Sequence, residues 1–285
     1  ILLSVAKRAG FCFGVSRAVE LVETAARQGS RTLTLGPIIH NRHVVERFRQ
    51  MGVRVIDTPE EAGAGDTVII RSHGVSRDVY RRLEATGANI VDATCPFVKR
   101  IHKLVAQAEA EGKLPIIIGT PTHPEVEGIA GWCTNCRVFE NAEAMEKWVQ
   151  EENVPSDLPV CMVSQTTSTE ILWKKCVNFA KKQFTYLQTF DTICRATECR
   201  QREASELSQR CEAMVVVGDL KSSNTGRLAM ICREHCNRVY LVDNAGELNP
   251  QDFCGVSDVG ITAGASTPAW IIKEVNKTMS EITNA

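Results

Sequence analysis

Short apolar runs alternate with longer amphipathic ones over the whole chain. The clearest short runs are Thr67–Ser72, Pro115–Thr120, Val160–Gln165, Met214–Asp219, Arg238–Asp243 and Val259–Gly264. They are rich in Val and Ile and apolar on both faces, as strands of a parallel sheet covered by helices are. Between them, a 3.6-residue period predicts helices over Val15–Gln28, Val44–Met51, Val98–Glu111, Thr169–Phe184, Arg202–Cys211 and Pro268–Met279. In Thr169–Phe184 it places Ile171, Leu172, Lys175 and Phe179 on one face. Strand-helix alternation throughout predicts an α/β architecture with right-handed crossovers and short, mainly parallel sheets.

One junction in this pattern repeats. The run Ile90-Val91-Asp92-Ala93-Thr94-Cys95-Pro96 is a short strand ending on a cysteine with a proline behind it. Proline cannot extend a strand but suits the first turn of a helix, so Cys95 sits where a strand hands over to a helix. There, unpaired amides and the helix dipole favour a thiolate. Leu2–Val5 leads in the same way through Arg8-Ala9-Gly10-Phe11 to Cys12, and Gln188–Ile193 leads to Cys194. The intervals, 83 and 99 residues, are about the size of one small α/β lobe. Three similar lobes are expected, over residues 1–95, 96–193 and 194–285, each delivering one cysteine from a strand end.

Composition narrows the setting. The 285 residues can form more than one core. Lys plus Arg number 33 and Asp plus Glu 34, so no global charge steers the chain to nucleic acid or an anionic membrane. No apolar run approaches the ~18 residues of a membrane span, and the expected location is cytoplasmic. The twelve cysteines are dispersed rather than framed as a disulfide scaffold, and a cytosolic setting turns such residues toward metal or catalysis.

Three thiolates brought from strand ends suit an iron–sulfur cluster better than zinc, because a cubane cluster on three cysteines leaves one iron open. The alternative is a zinc site from Cys133 and Cys136 with Cys232 and Cys236. Cys161, Cys176 and Cys211 read as packing residues, and Cys199 is close enough to Cys194 to be a spare ligand. Three histidines, His40, His73 and His123, fall in loops after strands or at helix starts, where open α/β sheets bind ligands. His102 and His235 read as helical and His43 as a helix start, without a role. The small polar loops Lys221-Ser222-Ser223-Asn224 and Gly264-Ala265-Ser266-Thr267 precede helices and offer hydroxyls and amides to an anion, most naturally phosphate, or simply N-caps through Ser223 and Ser266. Glu125, beside His123, is a candidate proton donor, and Thr166 in Gln165-Thr166-Thr167 can order a substrate hydroxyl or cap the following helix. No G-x-G-x-x-G, Walker loop or nucleophile elbow is present, so dinucleotide, ATP and serine-hydrolase chemistry have no support.

In order along the chain stand Gly10-Phe11-Cys12-Phe13-Gly14-Val15, His40-Asn41-Arg42, Ser72-His73-Gly74-Val75-Ser76, Asp92-Ala93-Thr94-Cys95-Pro96, His123-Pro124-Glu125-Val126-Glu127-Gly128, Gln165-Thr166-Thr167, Ser222-Ser223-Asn224 and Thr262-Ala263-Gly264-Ala265-Ser266. Together they resemble the 4-hydroxy-3-methylbut-2-enyl diphosphate reductases of the LytB family, terminal enzymes of the non-mevalonate isoprenoid route. The resemblance implies three lobes around a central [4Fe–4S] cluster on Cys12, Cys95 and Cys194, with one open iron. It implies a substrate diphosphate held by His40, His73, His123, Ser222, Ser223, Asn224 and Ser266, and protonation organised by Glu125, Thr166 and His123. Two electrons from ferredoxin or flavodoxin and two protons would remove the hydroxyl as water, giving isopentenyl and dimethylallyl diphosphate. A monomer or weak homodimer is expected. One departure lies after Cys194, where Arg195-Ala196-Thr197-Glu198-Cys199 lacks the aromatic expected at its first position and adds a cysteine. The rival readings are an iron–sulfur dehydratase or quinolinate-synthase-like enzyme, and a non-enzymatic iron–sulfur redox sensor.

Overall fold

The structure, a computed structural model, describes residues 2–284. The first strand, β1 (Leu2–Val5), leads to α1 (Phe13–Arg27). One sheet is then built in a single pass from β2 (Thr32–Leu35), α2 (Arg42–Gln50), β3 (Arg54–Ile56), β4 (Thr67–Ile70), α3 (Arg77–Ala85) and β5 (Asn89–Asp92), followed by α4 (Pro96–Ala110). A second follows from β6 (Leu114–Ile118), α5 (Pro124–Ala130), β7 (Arg137–Phe139), α6 (Ala142–Glu151), β8 (Val160–Ser164), α7 (Glu170–Gln183) and β9 (Leu187–Thr189), then α8 (Arg195–Ser208). The chain ends with β10 (Ala213–Val217), α9 (Ser223–Arg233), β11 (Arg238–Val242), β12 (Asp258–Ala263) and α10 (Ala269–Asn284).

Three four-stranded sheets result, with orders β3-β2-β4-β5, β7-β6-β8-β9 and β11-β10-β12-β1. The strand pairs are parallel. All three follow one rule: a central strand, its outer neighbour, the second central strand, then the opposite edge. In the third sheet the chain supplies that last edge from its own beginning, Leu2 standing opposite Asp258 and Val5 opposite Ile261. The expected first lobe of residues 1–95 is corrected accordingly: its first strand completes the C-terminal sheet, because its backbone pairs with β12 and with no strand of β2–β5. By packing, one compact unit holds the residues up to Ser16, Ile39–Arg47 and those from Arg195 on; the other holds Arg17–Ile38 and Phe48–Cys194. The first contains the C-terminal sheet and the second the other two.

The central strands form the cores. All residues of β4, β8 and β10 are buried, each large aliphatic side chain contributing roughly 1.5–3 kcal/mol on leaving water. In the middle sheet Ile116, Ile118, Val160 and Met162 pack on Trp173, Cys176 and Ala180 of α7 and on Trp148 of α6. The buried face of α7 is thus turned one position from the expected one: Ile171 is 62% exposed, while Trp173 is 6% exposed. The larger ring takes the interior, and Lys175 falls on the solvent side.

Other boundaries moved for local reasons. Helix α8 starts at Arg195 rather than near 202, because its first turns bury Thr197, Arg200 and Gln201, polar residues that hide the apolar period. Helices α3, α5, α6 and α9 lie between the predicted runs, and His235 falls in the turn after α9 rather than within a helix.

Helix α4 turns Val98, Ile101, His102, Val105 and Ala108 inward. His102 stacks on Trp132, centroids 5.1 Å apart and planes 15° from parallel. It also lies under Gly74, whose φ of +75° suits glycine and where a Cβ would stand 2.7 Å from His102 Cε1.

Two outcomes are expected. Trp173→Ala should cost about 3–5 kcal/mol in chemical unfolding, whereas Ile171→Ala should stay within about 0.5 kcal/mol. For His102, burial drives the pKa down to about 4 against the partial pull of Asp92. The unfolded value of about 6.5 is higher, so the unfolded chain takes up this proton first as pH falls. Its contribution is full above about pH 6.5, is lost as the pH drops toward about 4, and is level below that. The span is on the order of 3 kcal/mol. His102→Phe should flatten that part of the pH dependence of the unfolding midpoint.

Candidate active site

In each sheet the two central strands send their onward connections to opposite sides. Their carboxyl ends therefore flank a topological switch point, where open α/β sheets bind ligands. The loops at these ends carry the residues expected from sequence: His40 after β2, His73 after β4, His123 and Glu125 after β6, Thr166 after β8, Ser222 to Asn224 after β10, and Ser266 after β12. The remaining edge strand of each sheet ends in a cysteine: Cys95 after β5, Cys194 after β9 and Cys12 after β1.

Each of these cysteines directly precedes a helix and is half-buried. Each donates its backbone N–H to a carbonyl in the loop after the adjacent central strand. Cys12 donates to Ala265 at 3.2 Å, Cys95 to Ser72 at 2.9 Å and Cys194 to Thr166 at 2.9 Å. The three positions are equivalent, and Cys199 lies a full turn further along α8, with Arg202 Nη2 3.9 Å from its Sγ. Half-buried sulfurs at helix starts are the soft donor set that an iron–sulfur cluster takes.

Two arginines that sequence reasoning missed fix the approaches to these cysteines. Arg17 of α1 donates to the Asp92 carbonyl at 3.2 Å and the Thr94 carbonyl at 3.4 Å, just ahead of Cys95. Arg200 of α8, 4% exposed, donates to the Arg8 carbonyl at 3.0 Å and the Gly10 carbonyl at 2.7 Å, just ahead of Cys12. On that same stretch Glu203 accepts from the amides of Lys7 and Arg8 at 2.8 and 2.9 Å. Neither arginine falls in a short motif; the only signal is a cation a few residues beyond a cysteine.

In the middle lobe the carboxylate of Glu125 is 3% exposed and bound twice by one residue. It accepts from the Thr166 amide at 2.7 Å and from the Thr166 hydroxyl at 2.8 Å. His123 caps α5, its Nδ1 accepting from the Glu125 amide at 3.1 Å, so the neutral ring carries its proton on Nε2. The ring of His73 meets that of His123 edge-on, centroids 5.6 Å apart. Gln165 is fully buried and its Oε1 accepts from the Thr120 amide at 3.1 Å, tying the loops after β6 and β8. The cap of α7 is Thr169, not Thr166, which leaves Thr166 to the carboxylate.

In the C-terminal lobe Ser222, rather than Ser223, caps α9, its oxygen accepting from the Thr225 amide at 3.4 Å. Ser266 caps nothing. Its hydroxyl donates to the His40 carbonyl at 3.0 Å and lies 3.3 Å from the Ser222 hydroxyl. Asn224 is 3% exposed, and neither its amide nitrogen nor its oxygen has a hydrogen-bond partner. Such a buried amide costs about 1–3 kcal/mol, and a bound anion at this helix start would accept from its nitrogen.

The remaining close pairs are engaged locally. Cys232 and Cys236 are buried, and Cys236 Sγ is 3.4 Å from the carbonyls of both Glu212 and Arg238. Cys133 and Cys136 both turn to the carbonyl of Ala130.

The LytB protein family matches residues 3–280. A 4-hydroxy-3-methylbut-2-enyl diphosphate reductase of Caldanaerobacter subterraneus subsp. tengcongensis is 42% identical over 276 residues, 95% of this chain and 94% of that protein. A solved structure of (E)-4-hydroxy-3-methyl-but-2-enyl diphosphate reductase, described as the terminal enzyme of the non-mevalonate pathway, is 38% identical, with a TM-score of 0.71 and coverage of 99% of this chain and 100% of that one. The E-1-hydroxy-2-methyl-but-2-enyl-4-diphosphate reductase of Plasmodium falciparum is 28% identical, with a TM-score of 0.91 over 99% of this chain and 88% of that one. A match that runs from β1 into α10, with relatives this similar along the whole length, places the chain in the LytB family.

Proposed function

We propose that this chain is an iron–sulfur reductase converting 4-hydroxy-3-methylbut-2-enyl diphosphate into isopentenyl and dimethylallyl diphosphate, the last step of the non-mevalonate isoprenoid route. The reaction consumes two electrons and two protons, breaks the C–O bond of the allylic alcohol and releases the oxygen as water. The observation that carries this reading beyond family membership is the buried Glu125–Thr166 pair at a switch point.

Cys12, Cys95 and Cys194 are the thiolate ligands we assign to a [4Fe–4S] cluster, Cys194 being preferred to Cys199 because its amide makes the bond that Cys12 and Cys95 make. When bound, such a cluster supplies electrons singly and offers an iron without a cysteine to the substrate. Ferredoxin or flavodoxin is our choice of donor, because the chain carries no dinucleotide fingerprint. The cytoplasm is the compartment in which unpaired thiolates of this kind persist.

The protein's own groups then bind, orient and protonate. Asn224, Ser222 and Ser223 at the start of α9, where the amides and the dipole add to them, and Ser266 in the loop after β12 offer neutral donors for a diphosphate. His40, His73 and His123 are assigned to the same diphosphate. Thr166 Oγ1 lies 2.8 Å from Glu125 Oε2; once Glu125 is protonated the bond reverses, the carboxyl O–H donating to Thr166, so that Thr166 passes its own proton to the leaving hydroxyl as it takes the one from Glu125. The Thr166 amide on the other carboxylate oxygen keeps the acid in place throughout.

Two variants test these roles against turnover of the hydroxylated allylic diphosphate with a reduced donor. Glu125→Gln should keep its iron and sulfide and most of its substrate affinity but lose about a hundredfold or more in kcat; normal turnover would remove Glu125 from the mechanism. Asn224→Ala should raise KM about tenfold, the scale of a hydrogen bond to a charged group, with a smaller change in kcat. Absence of turnover in the wild-type, cluster-loaded protein would overturn the reductase assignment itself.

A further inference from the structure

Beyond this reading, Cys133 and Cys136 form a site of their own. They follow α5 in the sequence Trp132-Cys133-Thr134-Asn135-Cys136, and both are half-buried while Thr134 and Asn135 between them are exposed. Both thiols converge on one acceptor, the Ala130 carbonyl, at 3.4 Å for Cys133 and 4.0 Å for Cys136. The turn that carries them is fixed from outside by Glu109 of α4. Its Oε1 accepts from the amides of Thr134 at 2.6 Å and Asn135 at 2.8 Å, and its Oε2 lies 3.4 Å from the Thr134 hydroxyl. A turn held this way keeps the two sulfurs together at low entropic cost.

A metal is the other use of such a pair. Among the described residues, however, no group of three His, Cys, Asp or Glu side chains with ligand atoms in mutual reach includes either cysteine. The carboxylate of Glu109 is already engaged by the turn.

The two thiols are also chemically unequal. When Cys136 ionises, the Cys133 S–H turns from the Ala130 carbonyl to the Cys136 sulfur, and this favours the thiolate and lowers the Cys136 pKa despite burial. The same interaction, with burial and the Glu109 carboxylate, pushes Cys133 up. One half-buried thiol whose ionisation is favoured by its neighbour, beside a second that can resolve it, is the arrangement that thiol–disulfide exchange uses.

We infer that Cys133 and Cys136 are a reversible dithiol–disulfide site that exchanges with an external disulfide of the glutathione class. The Cys136 thiolate attacks one sulfur of the external disulfide; that S–S bond breaks and the departing thiolate takes up a proton. Cys133 then loses its proton and attacks Cys136 Sγ, closing the internal bond and expelling the second external thiol. Two electrons pass from the protein dithiol to the external disulfide. Closing the bond also removes both S–H donors from the Ala130 carbonyl, at the end of the helix whose first turn carries Glu125. It acts next to Trp132 as well, whose indole N–H donates to the Val75 carbonyl at 2.9 Å in the loop that follows His73.

The test uses the cluster-loaded protein under anaerobic conditions, equilibrated in glutathione buffers of rising oxidised fraction, quenched by alkylation and mapped by peptide mass. The expected result is a 133–136 peptide that loses two hydrogens as the buffer becomes oxidising and regains them with dithiothreitol. Cys133→Ser should trap glutathione on Cys136 severalfold more than Cys136→Ser traps it on Cys133. Alkylation of both thiols across the whole range would overturn the proposal, as would mixed disulfides in the wild type without an internal bond, or a bond from either cysteine to a third one. Equal or reversed trapping would overturn the assignment of Cys136 as the attacking thiol. These readouts do not depend on turnover, so they stand or fall separately from the reductase assignment.

Discussion

In all three lobes the backbone N–H of a cysteine binds a carbonyl in the loop after the neighbouring central strand: Cys12 to Ala265, Cys95 to Ser72 and Cys194 to Thr166. That bond couples the edge strand that delivers sulfur to the central strand that delivers a hydroxyl or an imidazole. Ser266 and His73 directly follow two of these acceptors, and Thr166 is itself the third. The bond is possible because each sheet is parallel with the same strand order, so the ends of adjacent strands emerge on one side. A helix begins immediately after each cysteine and places further unpaired amides there. Fold and site chemistry therefore share one constraint. A change that slips an edge strand against its neighbour moves a sulfur relative to the residue beside it.

Around this constraint the protein invests its buried polar groups. Arg17 and Arg200 hold the carbonyls just ahead of Cys95 and Cys12, and Thr166 holds both oxygens of Glu125. Asp92, in the approach to Cys95, pairs with Lys99 at 2.6 Å. Burial opposes its ionisation, but Lys99 and the Thr94 hydroxyl and amide outweigh it and hold the carboxyl below its ordinary range. Polar contacts of this kind are costly to leave unmade where they are buried, and they gather at strand ends and on the flanking helices rather than within the apolar central strands. Asn224 is a buried amide whose nitrogen and oxygen both lack a partner, and it lies where we assign the diphosphate.

Much of this could be read before any coordinates. The three cysteines stand out because a strand, a cysteine and a helix start recur at lobe-sized spacing. The central strands were legible because full burial leaves unbroken Val and Ile runs. What stayed hidden depends on distant partners. Nothing in Leu2–Val5 says that it closes the last sheet, since strand pairing is decided across nearly the whole chain. Arg200 lies in a polar stretch of α8 that has no apolar period to mark it, and its role appears only when the Gly10 loop is seen beside it. Ile171 was misplaced because hydropathy ranks it with the core, whereas the volume of Trp173 decides which face of α7 turns inward. The sequence points to Ser223 as the cap of α9 where the structure has Ser222, because the two are neighbours with the same side chain and one residue of phase separates them.

The central claim is that one cysteine from each lobe holds the cluster. Iron and acid-labile sulfide content, measured anaerobically after identical reconstitution of the wild type and the single variants Cys12→Ser, Cys95→Ser and Cys194→Ser, tests it most directly. A full cluster in the wild type and a substantial loss of iron and sulfide in each variant, with Cys199→Ser unaffected, is the predicted result. A full complement of iron and sulfide in all three variants would contradict it.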